Sequence, residues 1–217
     1  MTNEVLNIDC MEYMADIPDN WFELAIVDPP YGIERAGQQE TFTKNLKHKR
    51  KAHIIKQWDN CIPNEDYFKE LFRVSKNQII WGGNYFVEYL KGSMGWVFWD
   101  KGQNLTMSDG ELAYTSFNKA LRRIKINRVE LLKEGTIHPT QKPIKLYKWL
   151  LKNYAKPDDK ILDTHIGSGS IRIACHDMGF DLYGCELDAD YWQAQEDRFN
   201  RHIQQDELFN FEGGEII

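Results

Sequence analysis

The chain has 217 residues, a formal net charge of −6 and 13% aromatic residues. That length suits one α/β domain with a sizeable core and leaves little for a second. No apolar run approaches the ~20 residues of a membrane span, and the opening MTNEVLNIDC lacks the basic start and apolar stretch of a signal peptide. Cys10, Cys61, Cys175 and Cys185 are scattered, with neither Cys-x-x-Cys nor zinc spacing; a reducing cytoplasm is expected, without a metal site or disulfide frame.

Taken in chain order, residues 5–8 read as a short strand and 11–17 as a helix closed by a turn at 18–20. Residues 24–27 are an apolar run bounded by turn signals, as in a buried strand. Residues 35–59 show no period and form a long basic loop. A helix is expected over 66–74, a strand over 78–81 ending in Gly82–Gly83, a helix over 85–90, and strands over 96–99 and 112–115. Pro143 opens a helix to Tyr154 with Leu146, Trp149 and Leu150 on one face. Strand, helix and strand follow over 160–163, 171–178 and 182–186, then a helix from about 190 to 204. Such alternation implies a largely parallel sheet covered on both faces.

Charge is unevenly spread. Lys44, Lys47, Lys49, Arg50, Lys51 and Lys56 occur without an acid between residues 41 and 58, and Lys119, Arg122, Arg123, Lys125 and Arg128 without one between 117 and 128. Local basic patches on an acidic body can track phosphates.

Two stretches carry chemistry. In "IVDPPYGI", residues 26–33, a strand runs into Asp28, Pro29, Pro30 and Tyr31. Two prolines fix φ and remove both N–H donors, leaving acceptors only. Beside the Asp28 carboxylate and the Tyr31 ring, they suit a ligand that offers an NH2 group on an aromatic ring. In "ILDTHIGSGSIRIACHDMGFDLYGCELD", residues 161–188, a strand ends at Asp163, Gly167 and Gly169 follow, and the next strand ends in Glu186. Glycines let a backbone approach a ligand, and an acid after the second strand takes ribose hydroxyls, so a nucleoside-containing cofactor is implied. Arg172 stands where a dinucleotide fingerprint has its third glycine, which argues against NAD.

Together the stretches resemble the S-adenosylmethionine-dependent DNA adenine (N6) methyltransferases. Asp28–Tyr31 matches their catalytic motif, residues 163–170 resemble the cofactor loop, and "HPTQKP" from His138 to Pro143 matches the element before the cofactor strand in the beta subgroup. The resemblance implies a Rossmann-like methyltransferase fold: a mixed, mostly parallel seven-stranded sheet, helices on both faces and a circularly permuted motif order. It assigns catalysis to Asp28, Pro29, Pro30 and Tyr31. Asp9, Thr140, Lys142, Asp163, His165, Gly167, Ser168, Gly169, Ser170 and Glu186 would bind the cofactor, with no metal. Thr164 and His165 replace the usual Pro and Phe, so the His165 ring is expected to pack where Phe would, and His138 to shape its turn. A target base would be flipped out and stacked on Tyr31, with unstacking (a few kcal/mol) roughly offset by stacking (~1–3 kcal/mol).

Lys47, Lys49, Arg50, Lys51, Arg122 and Arg123 are the expected contacts to double-stranded DNA. One methyltransferase domain would span the chain, with a basic loop at 33–60 and a short target-recognition region within 100–137. A cytoplasmic location follows; a homodimer and a cognate restriction endonuclease stay open. So do transfer to N4 of cytosine, a non-catalytic DNA-binding module, and methylation of RNA or a protein amide.

Overall fold

The computed structural model of the protein describes residues 1–33, 62–102, 108–127, 131 and 134–212, with side chains up to residue 205. The chain opens with β1 (Asn3–Leu6), α1 (Cys10–Ala15) and β2 (Phe22–Val27). Asp9 caps α1, its carboxylate accepting from the N–H of Met11 at 2.8 Å and of Glu12 at 3.3 Å. Next come α2 (Glu65–Val74) and β3 (Ser75–Trp81), then β4 (Trp96–Asp100), β5 (Gly110–Thr115) and β6 (Arg122–Lys125). The last part holds α3 (Ile144–Tyr154), β7 (Lys160–Asp163), α4 (Ser170–Met178), β8 (Asp181–Cys185) and α5 (Ala189–Glu212).

The strands form one sheet in the order β1-β8-β7-β2-β3-β5-β4-β6. β5 runs antiparallel to both its neighbours and every other pairing is parallel. Alternation along β2 sends Leu24 and Ile26 into the core beneath α3 and α4, and Ala25 and Val27 into the core beneath α1 and α2. Helices therefore cover both faces, as expected.

Some details differ from what the sequence leads one to expect; the last helix, for one, runs on to Glu212 rather than ending near 204. Among the described residues the sheet has eight strands rather than seven, because β6 pairs with β4 at the outer edge. Its sequence RRIK has no apolar alternation to announce a strand; charge is what an exposed edge carries. The helix expected over 85–90 is a single 3-10 turn at Gly83–Tyr85, entered through Gly82 at φ +69°.

This order sets the site. From β2 the chain passes through α2 to β3 on one side; from β7 it passes through α4 to β8 on the other. The adjacent strands β2 and β7 therefore part company at their carboxyl ends, and such a switch point opens a ligand crevice.

Candidate active site

A cavity of about 480 Å³ lies at that crevice, reached by Asp9 after β1, Asp28 and Pro30 after β2, and Glu186 after β8. His165, Gly167 and Ser168 line it from the loop after β7, and Thr140 and Lys142 from the segment before α3. Asp163, Gly169 and Ser170 stand behind that wall rather than on it. Asp163 is 1% exposed and accepts the His165 N–H at 2.9 Å, so it shapes the loop; burial pushes its carboxyl up to about 8. Gly169, at φ +71°, opens α4, and the Ser170 hydroxyl accepts from Arg198 at 2.9 Å.

The glycine loop fixes the acid opposite it. Gly167 has φ +52°, and its N–H donates to Glu186 Oε2 at 2.9 Å. The Asp188 N–H donates to the other oxygen at 2.9 Å. Two backbone donors thus hold the Glu186 carboxylate at the cavity, and the left-handed turn at Gly167 favours a residue without Cβ. Arg172, in the place of the third glycine, instead fastens α4 to α5: it pairs with Glu196 and donates to Gln195 at 2.8 Å.

His165 behaves as a packed ring. Burial holds its pKa down to about 4, Nδ1 lies 2.9 Å from the Thr164 hydroxyl, and the ring meets Tyr67 edge-on at 5.4 Å. His138 shapes its turn, Nδ1 lying 3.1 Å from the Thr140 hydroxyl, while its ring packs on Tyr191 at 4.4 Å. Tyr191, on α5, also lines the cavity. It carries no sequence signal beyond an aromatic in a helix.

At the other end of the cavity Asp28 is gripped on both oxygens. The Tyr31 hydroxyl donates to Oδ1 at 2.5 Å and the Lys142 ammonium donates to Oδ2. Lys142 also lies 3.3 Å from the Tyr31 hydroxyl and 3.3 Å from Glu111 Oε2, with its side chain 1% exposed. Lys101 pairs with Glu111 at 2.7 Å. Burial raises the Asp28 carboxyl above the ordinary range despite Lys142. For Lys142 burial acts downward, but Asp28 and Glu111 outweigh it and raise its pKa. Burial also works against charge on Glu111, yet Lys142 and Lys101 hold its carboxyl low. Sequence motifs single out Lys142 but not Glu111 or Lys101, which arrive from the β4–β5 hairpin.

Pro29 is buried, and Tyr31 lies off the cavity wall. The Tyr31 ring rests on Gly82, where a Cβ would sit 2.2 Å from Cε1, and it stacks with Tyr85 at 5.0 Å and 13°. Tyr85 is thus a second aromatic beside the motif.

Of the expected DNA contacts, Arg122 and Arg123 lie on β6, separated from β2 by three strands, and Arg123 pairs with Asp100 at 2.6 Å. Lys47, Lys49, Arg50 and Lys51 lie outside the described residues. Among the described residues no group of His, Cys, Asp or Glu could hold a metal ion, and no helix is long and apolar enough to cross a membrane.

The architecture is a doubly wound α/β sheet with a crevice at its switch point. A family model described as DNA methylase (N6_N4_Mtase) matches residues 80–197, more than half of the chain, and the chain belongs to that family. It is 23% identical over 245 residues to the type II methyltransferase M.BglII of Bacillus subtilis, covering 87% of this chain and 66% of that protein. The M1.HpyAVI–SAM complex superposes with a TM-score of 0.61 at 19% identity, covering 91% of this chain and 98% of that one. The PvuII DNA methyltransferase (cytosine-N4-specific) superposes equally well, at 0.61 and 16% identity, over 92% and 86%.

Proposed function

We propose that the protein transfers a methyl group from S-adenosyl-L-methionine to the exocyclic N6 amine of a flipped-out adenine in double-stranded DNA. The observation that carries this reading is one cavity with Glu186 and Gly167 at one end and the Asp28 carboxylate at the other. The first end suits an adenosine moiety, since a fixed carboxylate can accept from ribose hydroxyls beside a backbone that lets a ligand come close. M1.HpyAVI, of like fold, is named as a SAM complex, which supports the same cofactor here. When bound, that cofactor supplies a methyl group on a positively charged sulfur, which keeps the electron pair of the broken carbon–sulfur bond.

The chain's own part is to prepare the amine. Adenine's NH2 is a poor nucleophile because its lone pair is delocalised into the ring. A carboxylate offers about four acceptor sites, so Asp28 can take an amine N–H while keeping Tyr31 and Lys142. The Pro29 carbonyl, on a backbone stiffened by two prolines, would take the second. Gripping both N–H bonds drives nitrogen toward a tetrahedral shape with its lone pair aimed at the methyl carbon. As the nitrogen becomes positively charged, Asp28 receives the proton it sheds and passes it to water. Alignment of two bound reactants contributes roughly 7–11 kcal/mol of such a barrier.

Cytosine presents the same NH2 group, and the likeness to the PvuII enzyme favours N4 transfer as the second reading. Asp28, where cytosine enzymes of the resembled family more often carry Ser, favours adenine. The relatives' type II naming is consistent with a partner restriction endonuclease.

The two ends of the cavity should separate in one experiment. Asp28→Asn is expected to lower turnover roughly 10²–10⁴-fold with cofactor affinity within about twofold of wild type. Glu186→Ala should weaken cofactor binding by ~1.5–3 kcal/mol, the worth of a charge-assisted hydrogen bond. Calorimetry and turnover on the same preparations decide it. An Asp28→Asn protein keeping a tenth of the wild-type rate would remove Asp28 from the chemistry.

A further inference from the structure

The charges around and behind Asp28 form a chain of alternating sign, Lys101, Glu111, Lys142, Asp28, in which Lys142 is buried and the other three are half-buried. Its origin is topological. β5 is antiparallel to β3, so its first residues stand at the same edge of the sheet as the carboxyl ends of β2 and β3. Trp81, the last residue of β3, pairs with Ala113, which places Glu111 two positions beyond that end. The Gly82 N–H donates to the Leu112 carbonyl at 2.9 Å and fixes this register. The one antiparallel strand therefore delivers an acid to the level of the site.

Lys142 has three N–H donors. Among the described residues its polar partners are three: Asp28, the Tyr31 hydroxyl and Glu111. Below it lies Trp81, whose ring centroid is 5.2 Å from the ammonium. With those donors engaged, Lys142 sets the positions of Asp28 and Tyr31 relative to each other.

We infer that Glu111 is a positioning residue for methyl transfer: it balances Lys142, so that the Asp28 charge serves the target amine rather than the lysine. This rests on the reading of Asp28 as the group that receives that amine. Methyl transfer moves positive charge from sulfur to the amine nitrogen. With Glu111 neutralised, an ammonium held by Asp28 alone stands beside nitrogen as it becomes cationic. Losing the compensating Glu111 charge, through an effective dielectric of about 20, then changes the rate by roughly 10²-fold. Glu111 does not line the cavity, so cofactor affinity should not feel it.

The test is steady-state kinetics with calorimetry on the 217-residue chain, using S-adenosyl-L-methionine and unmethylated genomic DNA. Glu111→Gln should lower kcat roughly 10²-fold while the KM for both substrates and the cofactor Kd stay within about twofold. Glu111→Asp, which keeps the charge, should recover part of the rate. Should Glu111→Gln fail to fold, the pair Lys142→Met and Lys142→Met/Glu111→Gln replaces it, since neither leaves the lysine charge unpaired. If Glu111 acts through Lys142, those two proteins turn over at the same rate. A wild-type kcat in Glu111→Gln, or a further loss on adding Glu111→Gln to Lys142→Met, would overturn the inference. Asp28→Asn, run alongside, distinguishes the failures: an active Asp28→Asn overturns the reading beneath it, whereas an inactive Asp28→Asn with an unaffected Glu111→Gln overturns this inference alone.

Discussion

His165, at the cavity wall, and Asp163, buried behind it at the end of β7, pull stability in opposite directions with pH. The folded His165 titrates near 4, against about 6.5 for an unperturbed imidazole. Below about pH 6.5 the unfolded chain takes a proton that the folded chain refuses, so stability falls as pH drops toward 4. Asp163 is the reverse: its folded carboxyl titrates near 8, so it keeps a proton that the unfolded chain loses, and stability falls as pH rises from about 4 to 8. His165→Phe should therefore gain on wild type at pH 5 relative to pH 7.5, by about 2 kcal/mol, and Asp163→Asn should gain at pH 7.5 relative to pH 5. Urea unfolding at the two pH values measures both. Equal differences at the two pH values would mean that these groups do not titrate as described. A histidine at this place was legible in the sequence as a packed ring. The opposing shift on Asp163 was not, because it comes from burial and from the nearby Asp28 and Glu186 carboxylates.

Among the elements, the connection after β3 has the sharpest requirement. Gly82 adopts φ +69° and lies under the Tyr31 ring, where an added Cβ would meet Cε1 at 2.2 Å. Gly82→Ala must push that ring aside and also bear a left-handed strain of roughly 1–2 kcal/mol. Tyr31 holds one oxygen of Asp28, so turnover should fall about 10²-fold, as for an ångström-scale misplacement, with the cofactor end of the cavity intact. Turnover and cofactor affinity measured together check this; normal turnover would show that Tyr31 need not stay where it is. In the sequence the glycine pair reads as a strand end, but a helix is expected after it over 85–90. Phe86 is instead fully buried beneath the turn while Tyr85 stacks outward on Tyr31. Tertiary packing overrode a local pattern. The same limit explains Glu111 and Lys101, two ordinary charged residues in the sequence that become site neighbours only when β5 is laid beside β3. By contrast, the loop from Asp163 to Ser170 and the Asp28–Tyr31 turn were legible, since their function depends on residues adjacent in the chain.

Across the whole molecule an acidic chain must meet a polyanion. The described structure supplies one exposed basic strand, β6, whose Arg123 is already paired with Asp100. The stretch from Lys44 to Lys56 holds six cations and no acid, and it follows the Asp28–Tyr31 turn in the sequence. If it tracks phosphates, replacing Lys47, Lys49, Arg50 and Lys51 with Gln should weaken target and non-target duplexes alike, because phosphate contacts carry no base information directly. The dependence of affinity on salt should flatten by ~0.9 per lost contact. An unchanged slope would leave the segment as solvated charge and shift attention to Arg122 and Lys125. Neither measurement identifies the methylated atom. The direct test is to incubate the purified chain with S-adenosyl-L-methionine and genomic DNA from a host lacking adenine methylation, then digest the DNA and quantify its nucleosides by mass spectrometry. The expected product is N6-methyldeoxyadenosine, which appears with wild type and is lost with Asp28→Asn. N4-methyldeoxycytidine in its place, or no methylated nucleoside at all, would contradict the proposed function.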